Sequence, residues 1–300
     1  MSVGAVRFVL VGALLIAAVD ASAFCRTTTS RSRSEVPGEC ATTGIPLSWR
    51  NRCTGYSLYR LDVPEDIAFP DLDRLAATST GAWARAACDD NGRVPQYFRV
   101  LPNPPTLNPP GYNPTGPNSN TVRFRPRWGD DAIHRSGAIA ITIVTFDSFT
   151  GEIFDADIEM NTQHPRTNPT GFRFSIADRP EFDAADLPTI LTHEFGHFLG
   201  LSHSANERSV MWFEAGVGEA RRDLTADDTA GICTIYPQPL APPGRCVGLP
   251  YGGLATYPGP MKVTGACGVR PGVGATRTGL SGALAMALAA VCCGRRRRRV

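Results

Sequence analysis

The sequence predicts an α+β domain, and three observations lead there. Five segments read as strands, by alternation or by continuous β-branched runs. Three segments read as helices, by apolar period and by end signals. No internal repeat organises them. A chain of 300 residues allows one large domain or two small ones, with enough length to bury a sizeable core. A hydrophobic fraction of 42% and a charged fraction of 19% exclude bulk disorder and a polytopic membrane protein.

The elements follow in order. Residues 24–44 form an arm rich in Ser, Thr and Arg, expected to be loose up to Pro46. Tyr56, Leu58 and Tyr59 among polar neighbours predict a strand over 55–62. Over 70–87, Pro70 suits a first helical turn, and Leu72, Leu75, Ala76, Trp83 and Ala87 make an apolar stripe. A strand is expected over 93–101. Pro, Asn and Gly fill most of 102–120, which reads as an irregular loop. Val122 and Phe124 alternate with polar residues in a strand at 121–125. The run 138–146 is apolar and β-branched, as in a strand buried on both faces. A turn at 147–151 leads to 156–161, whose alternation predicts a half-exposed strand. A helix runs from about 184 to 199, with Pro188 in its first turn and Gly200 as its stop. Thr225 and Asp228 resemble a capping box with Asp for the usual Glu, opening a helix that ends before Pro237. The Pro/Gly-rich stretch 238–277 reads as a linker.

Both ends read as addresses. Arg7, the apolar run 8–19 and Ala21-Ser22-Ala23 make a secretory signal over 1–23, with the mature start near Phe24. Residues 278–294 carry no charge and precede the five arginines 295–299, so 278–300 reads as an anchor whose basic end stays cytoplasmic. With Cys267-Gly268 upstream, this tail resembles the tripartite sorting tails of bacterial surface proteins, closest to the myxosortase (MYXO-CTERM) type. That resemblance implies cutting by a sorting protease, whereas a plain stop-transfer tail would stay in the membrane. Without the tail arginines, Arg7 and Asp20, 24 basic and 27 acidic residues remain, a net charge of −3 with no nucleic-acid footprint.

Nine cysteines suit an exported protein. Two, Cys292 and Cys293, lie in the apolar tail. If Cys267 belongs to the sorting motif, six remain to pair, in any of fifteen ways. Cys53–Cys88 and Cys233–Cys246 are the expected bonds.

The chemistry lies in His193-Glu194-Phe195-Gly196-His197-Phe198-Leu199-Gly200-Leu201-Ser202-His203. Histidines four apart on a helix leave the same face one turn apart, so both can reach one Zn²⁺ at about 2.0–2.1 Å. Gly200 permits a backbone turn that returns His203 as third ligand. Three neutral nitrogens leave a fourth position for water, as in a catalytic zinc site. Glu194 is not a ligand and can approach that water as a base. At this composition the pattern arises by chance in roughly one such sequence in 10⁵. Three unrelated surface histidines are the alternative, but the chain has only five histidines in all.

Here the chain resembles the metzincin metallopeptidases of the matrixin branch. Ser204 follows His203, Met211 lies eight residues beyond His203 where a Met-turn is placed, and 224–237 is similar to the closing helix. An ordinary core methionine remains the alternative for Met211 taken alone. The likeness covers about 45–237. It implies a zincin-like fold: a twisted mixed sheet, an active-site helix and a small C-terminal subdomain. It also implies a zinc endopeptidase, acting as a monomer on an extended protein or peptide substrate paired to a sheet edge. The propeptide cysteine latch, the histidines of the family's structural zinc and the Pro after the Met-turn are missing. Cys25 or Cys40 is an expected substitute latch, since a thiolate can fill the open zinc position. Asp147, Asp155, Asp157 and Glu159 are candidate Ca²⁺ ligands, with a solvated strand edge as the alternative. The rival to an enzyme is a non-catalytic zinc-containing surface binding protein. A zinc hydrolase of cell-wall peptides is a third reading.

Overall fold

A computed structural model describes residues 23–30, 39–50, 53–88, 99–102, 105–107, 109–114, 118–131, 133–134, 137–164, 166–237, 261–267 and 270–271. The expected signal up to Ser22 and the anchor at 278–300 lie outside the described residues.

The described chain runs β1 (Cys25–Arg26), β2 (Cys53–Leu58), α1 (Phe69–Ala84), β3 (Arg99–Pro102), β4 (Thr121–Arg125), β5 (Ala140–Asp147) and β6 (Ile153–Asn161). It continues with β7 (Phe174–Ser175), β8 (Ala185–Asp186), α2 (Leu187–Phe198), β9 (Leu201–Ser202), β10 (Glu214–Ala215), α3 (Ala226–Ile235), β11 (Met261–Cys267) and β12 (Arg270–Pro271). Six strands form one sheet in the order β11-β5-β6-β4-β2-β3. β2, β3, β4 and β6 are mutually parallel; β5 runs antiparallel to β6, and β11 antiparallel to β5. The sheet is mixed and the class α+β, as expected.

Helices α1 and α2 pack against each other, and α2 against β5 and β6. The core joins Tyr56, Val122, Phe124 and Ile158 of the sheet to Leu72, Ala76 and Trp83 of α1 and to Leu191, Phe195 and Phe198 of α2. Trp83 is fully buried and its indole N–H donates to the Thr192 carbonyl at 2.8 Å, which sets α1 against α2.

Two expectations on element ends change. Helix α2 opens at Leu187 rather than near 184, because Ala185–Asp186 is extended and pairs with β7. Asp186 is the N-cap, accepting from the Thr189 N–H. The arm is tied down where it is described: Cys25–Arg26 pairs with Leu201–Ser202, and the Phe24 N–H donates to Asp227 Oδ1 at 2.9 Å.

The disulfides also differ. Cys88 bonds Cys233 and Cys25 bonds Cys40, which excludes Cys53–Cys88 and Cys233–Cys246. Cys53 is disulfide-bonded as well. Proximity in sequence suggested the wrong pairs. The end of α1 returns beside α3, with Cα atoms of Cys88 and Cys233 5.5 Å apart across 145 residues.

Strand β6 is buried at all nine positions, not half-exposed as its alternation suggested. Its polar face is roofed by Pro110, Gly111, Tyr112 and Ile133. Asp157 accepts from the N–H groups of Gly111 (2.6 Å) and Thr121 (2.7 Å). Glu159 pairs with Arg125 at 3.0 Å; burial works to raise its pKa, but the His134 hydrogen bond and then the Arg125 charge hold it below the usual value. Burial raises the pKa of Asp155 well above the usual carboxylate range, and the Asp157 charge adds to this. Burial also raises Asp157 to about 7, against the pull of the two amides.

The folded pair thus holds protons that unfolded carboxylates, with pKa near ~3.9, have lost. Its contribution is complete below about pH 4 and declines as pH rises toward 7. Asp155→Asn should stabilise the protein at pH 8 by about 1–3 kcal/mol and change little at pH 4, read by urea unfolding. A variant less stable than the parent at pH 8 contradicts the account of a buried pair that keeps its protons.

Candidate metal centre

Helix α2 carries His193, Glu194 and His197, and it is buried nearly all round. Both ends are fastened. At the N-terminus Asp186 pairs with Arg222 at 2.5 Å. At the C-terminus the Phe198 carbonyl accepts from Trp49 Nε1 (2.8 Å) and the Leu199 carbonyl from the Tyr236 hydroxyl (2.9 Å). These side chains satisfy carbonyls that a helix end leaves without partners. Gly200 then turns the chain with φ +100°, and a Cβ there would stand 2.6 Å from the Leu47 carbonyl oxygen. Glycine is required on both counts.

The turn brings His203 back as the sequence predicted. Ring centroids lie 4.7 Å apart for His193–His197, 5.4 Å for His193–His203 and 4.9 Å for His197–His203. One nitrogen from each ring lies within 4.8 Å of the others, and among the described residues this is the group whose geometry could hold a metal ion.

The rings are oriented from behind. His193 Nδ1 lies 2.7 Å from the Val210 carbonyl oxygen, and His197 Nδ1 2.9 Å from that of Leu201. A carbonyl only accepts, so each Nδ1 carries the proton and each Nε2 presents its lone pair inward. His193 Nε2 is buried without a hydrogen-bond partner. Burial also lowers the His193 pKa to about 4, which keeps the ring neutral and fit to ligate. A buried neutral nitrogen aimed at two others matches the donor set of zinc.

Glu194 is fully buried, and Thr142 Oγ1 donates to its Oε2 at 2.6 Å. The same hydroxyl lies 3.1 Å from the Glu194 carbonyl oxygen. Sequence reasoning missed Thr142, which in the run 138–146 reads only as a β-branched strand residue.

Met211 lies where the Met-turn was expected. It is buried, its carbonyl accepts from the Ser204 N–H, and its sulfur lies against Gly196 of α2. A Cβ on Gly196 would come within 2.2 Å of Met211 Sδ and 2.9 Å of Trp83. Gly196 therefore sets how closely the Met-turn approaches the helix. Nothing in the sequence distinguished it from other glycines.

The turn is fixed from α3. Asp228 closes the capping box with Thr225, as predicted. It also accepts from the Ser209 hydroxyl, the Val210 N–H (3.0 Å) and the Met211 N–H (3.2 Å).

The candidate calcium residues do not form one site. Asp147 caps the β5–β6 turn by accepting from Phe149 and Thr150, while Asp155, Asp157 and Glu159 line the cleft under Tyr112. The expected thiol latch is also corrected: Cys25 and Cys40 are bonded to each other, and neither has a thiolate to offer.

Residues 130–237 match the family model for matrixin. A stretch of 53 residues is 46% identical to Metalloendoproteinase 1-MMP of Arabidopsis thaliana, covering 18% of this chain and 15% of that protein. Metalloendoproteinase 5-MMP of the same plant is 30% identical over 120 residues, 34% of this chain and 33% of that protein. Stromelysin-1 of Rattus norvegicus is 38% identical over 60 residues, 19% of this chain and 13% of that protein. The chain thus spans at most about a third of these relatives' lengths, and the likeness is to a matrixin-like catalytic region.

Asp228→Ala should cost about 3 kcal/mol or more, because it strands several buried donors at once. It should also lower zinc affinity, since the Val210 carbonyl that orients His193 loses its support. Urea unfolding and zinc titration read the two effects. Unchanged stability would show that Asp228 is not the tie.

Proposed function

We propose that this chain is an exported zinc endopeptidase acting on protein or peptide substrates outside the cytoplasm. The observation that carries the reading is the convergence of three imidazoles beside a buried glutamate held by Thr142. The matrixin match over the same residues supports it.

His193, His197 and His203 would hold the zinc, which when bound polarises a scissile carbonyl and makes water a better nucleophile near neutral pH. Glu194 takes a proton from the attacking water and delivers it to the leaving amine. The Thr142 hydroxyl occupies one lone pair of Oε2 and fixes the carboxylate's rotamer. The rival, a zinc-containing binding protein, gives no role to the Thr142–Glu194 bond, because zinc binding does not need Glu194.

Glu194→Ala should keep its zinc and lose peptide cleavage by at least ~10²-fold. His203→Ala should lose both. Thr142→Val should keep zinc and KM while lowering kcat about tenfold, with Thr142→Ser restoring it; ~1.4 kcal/mol of lost orientation corresponds to that factor. Metal analysis beside peptide-library kinetics reads all three, and Glu194→Ala cleaving at the parental rate rejects the assignment.

Export and tethering belong to the same reading. A cut after Ala23 would leave the Phe24 amino group beside Asp227, whose carboxylate already accepts from that nitrogen. Among the described residues no helix is long and apolar enough to cross a membrane, so the tether is assigned to 278–300 on sequence alone. Deleting 280–300 should release an envelope-bound protein into the medium. If the undeleted, uncut protein is already soluble outside the cell, the tether is wrong.

A further inference from the structure

The stretch 238–277 was expected to be a linker, yet two of its segments pair with strands β5 and β10. β11 pairs antiparallel along β5, with Met261 opposite Asp147 and Cys267 opposite Thr142. β12 pairs parallel to β10, with Arg270 opposite Glu214 and Pro271 opposite Ala215.

These partners are not neutral parts of the surface. Thr142 is the residue whose hydroxyl holds Glu194. Glu214 directly follows Phe213, whose ring centroid lies 6.3 Å from that of His203. Three peptide units separate Cys267 from Arg270, so their Cα atoms are at most about 11 Å apart. One short run of chain therefore reaches from the glutamate side of the centre to the His203 side. β5 has β6 on its other side, so β11 takes the one pairing edge that β5 had left.

We propose that Met261–Cys267 and Arg270–Pro271 are an intrachain occupant of the peptide-binding cleft, seated where an extended substrate would pair, so that this chain's own tail segment keeps the site closed. The proposal rests on the peptidase reading only for the identity of the competing ligand. A peptide adding to a sheet edge gains affinity from main-chain hydrogen bonds, and any extended segment can make them. A tethered segment competes at an effective concentration on the order of 1 mM. If the free segment binds with a Kd of about 0.1 mM, tethering weakens an external ligand about tenfold. Opening requires only that β11 leave β5, which a pull on, or a cut in, the chain following it would favour.

The test uses the mature full chain and the full-chain double variant Val263→Pro, Thr264→Pro. Proline removes two backbone donors from β11 without touching the metal centre. Zinc content and thermal midpoint confirm that the variant is folded. Two readouts are taken: the affinity for a peptide ending in a hydroxamate, and hydrogen exchange of the amides in 140–147.

The proposal expects the variant to bind the hydroxamate about tenfold more tightly and to exchange 140–147 faster. It also expects the synthetic peptide 261–271 to reverse both effects competitively. Equal hydroxamate affinity in the two proteins overturns it, even if exchange accelerates, because β11 would then only cover an edge. Should the proline variant fail to fold, the same peptide is added to a chain stopped after Pro260, and lack of competition with the hydroxamate overturns the proposal. Tighter hydroxamate binding in a protein that cleaves no peptide leaves the occupant in place and removes the peptidase reading.

Discussion

The site depends on one buried carboxylate, that of Asp228. It closes the N-terminus of α3 and at the same time fastens the Ser209–Met211 turn. Through that turn it positions the Val210 carbonyl, which fixes the protonated nitrogen of His193. It also positions Met211, which packs on the glycine gap at Gly196. Hydrogen bonds to a charged acceptor contribute about 1.5–3 kcal/mol each, and cost more when one partner is stranded. A helix cap, a turn and a candidate metal ligand thus share one anchor 35 residues from His193 in sequence. α3 thus braces the candidate metal centre although none of the three histidines lies on it.

The rest of the scaffold serves to immobilise α2. Trp83 holds its middle, Asp186 with Arg222 holds its start, and Trp49 with Tyr236 holds its last carbonyls. Ligands on a helix fastened at three levels keep the spacing that a single ion requires. Affinity is then not spent on ordering them. The same rigidity serves Glu194. Its backbone and its carboxylate both meet Thr142, so strand β5 sets the position of the proposed base relative to the helix that carries it.

Local patterns were legible in the sequence, and contacts between distant elements were not. The histidine spacing, the Gly200 turn, the Thr225–Asp228 box and strand 121–125 all depend on neighbours within a dozen residues, and the structure reproduces them. The errors share the opposite cause. Cys88 finds Cys233 across the whole domain. Thr142 acquires its role only because β5 lies beside α2. The acids of β6 alternate as on a wet strand and are buried because a distant loop covers them. Asp228 showed its cap and hid its second set of bonds, which a capping pattern cannot encode.

The edge of β5 brings these threads together. An unpaired strand edge is an aggregation hazard, and natural sheets cover it, charge it or distort it. A protein that binds extended peptides needs that same edge free. With β11 off it, β5 would suit the second demand: it is eight residues long and largely apolar or β-branched. It cannot meet the first by itself without losing its use. If β11 is removable, as proposed, it satisfies both demands in turn, since it covers the edge with the main-chain pairing that an extended peptide would otherwise make. The cover is also contiguous in sequence with the proposed anchor, so the state of the tail and the openness of the cleft are properties of one segment. A chain held by its end and a chain cut free would then differ in access to the zinc site without any rearrangement of the histidines.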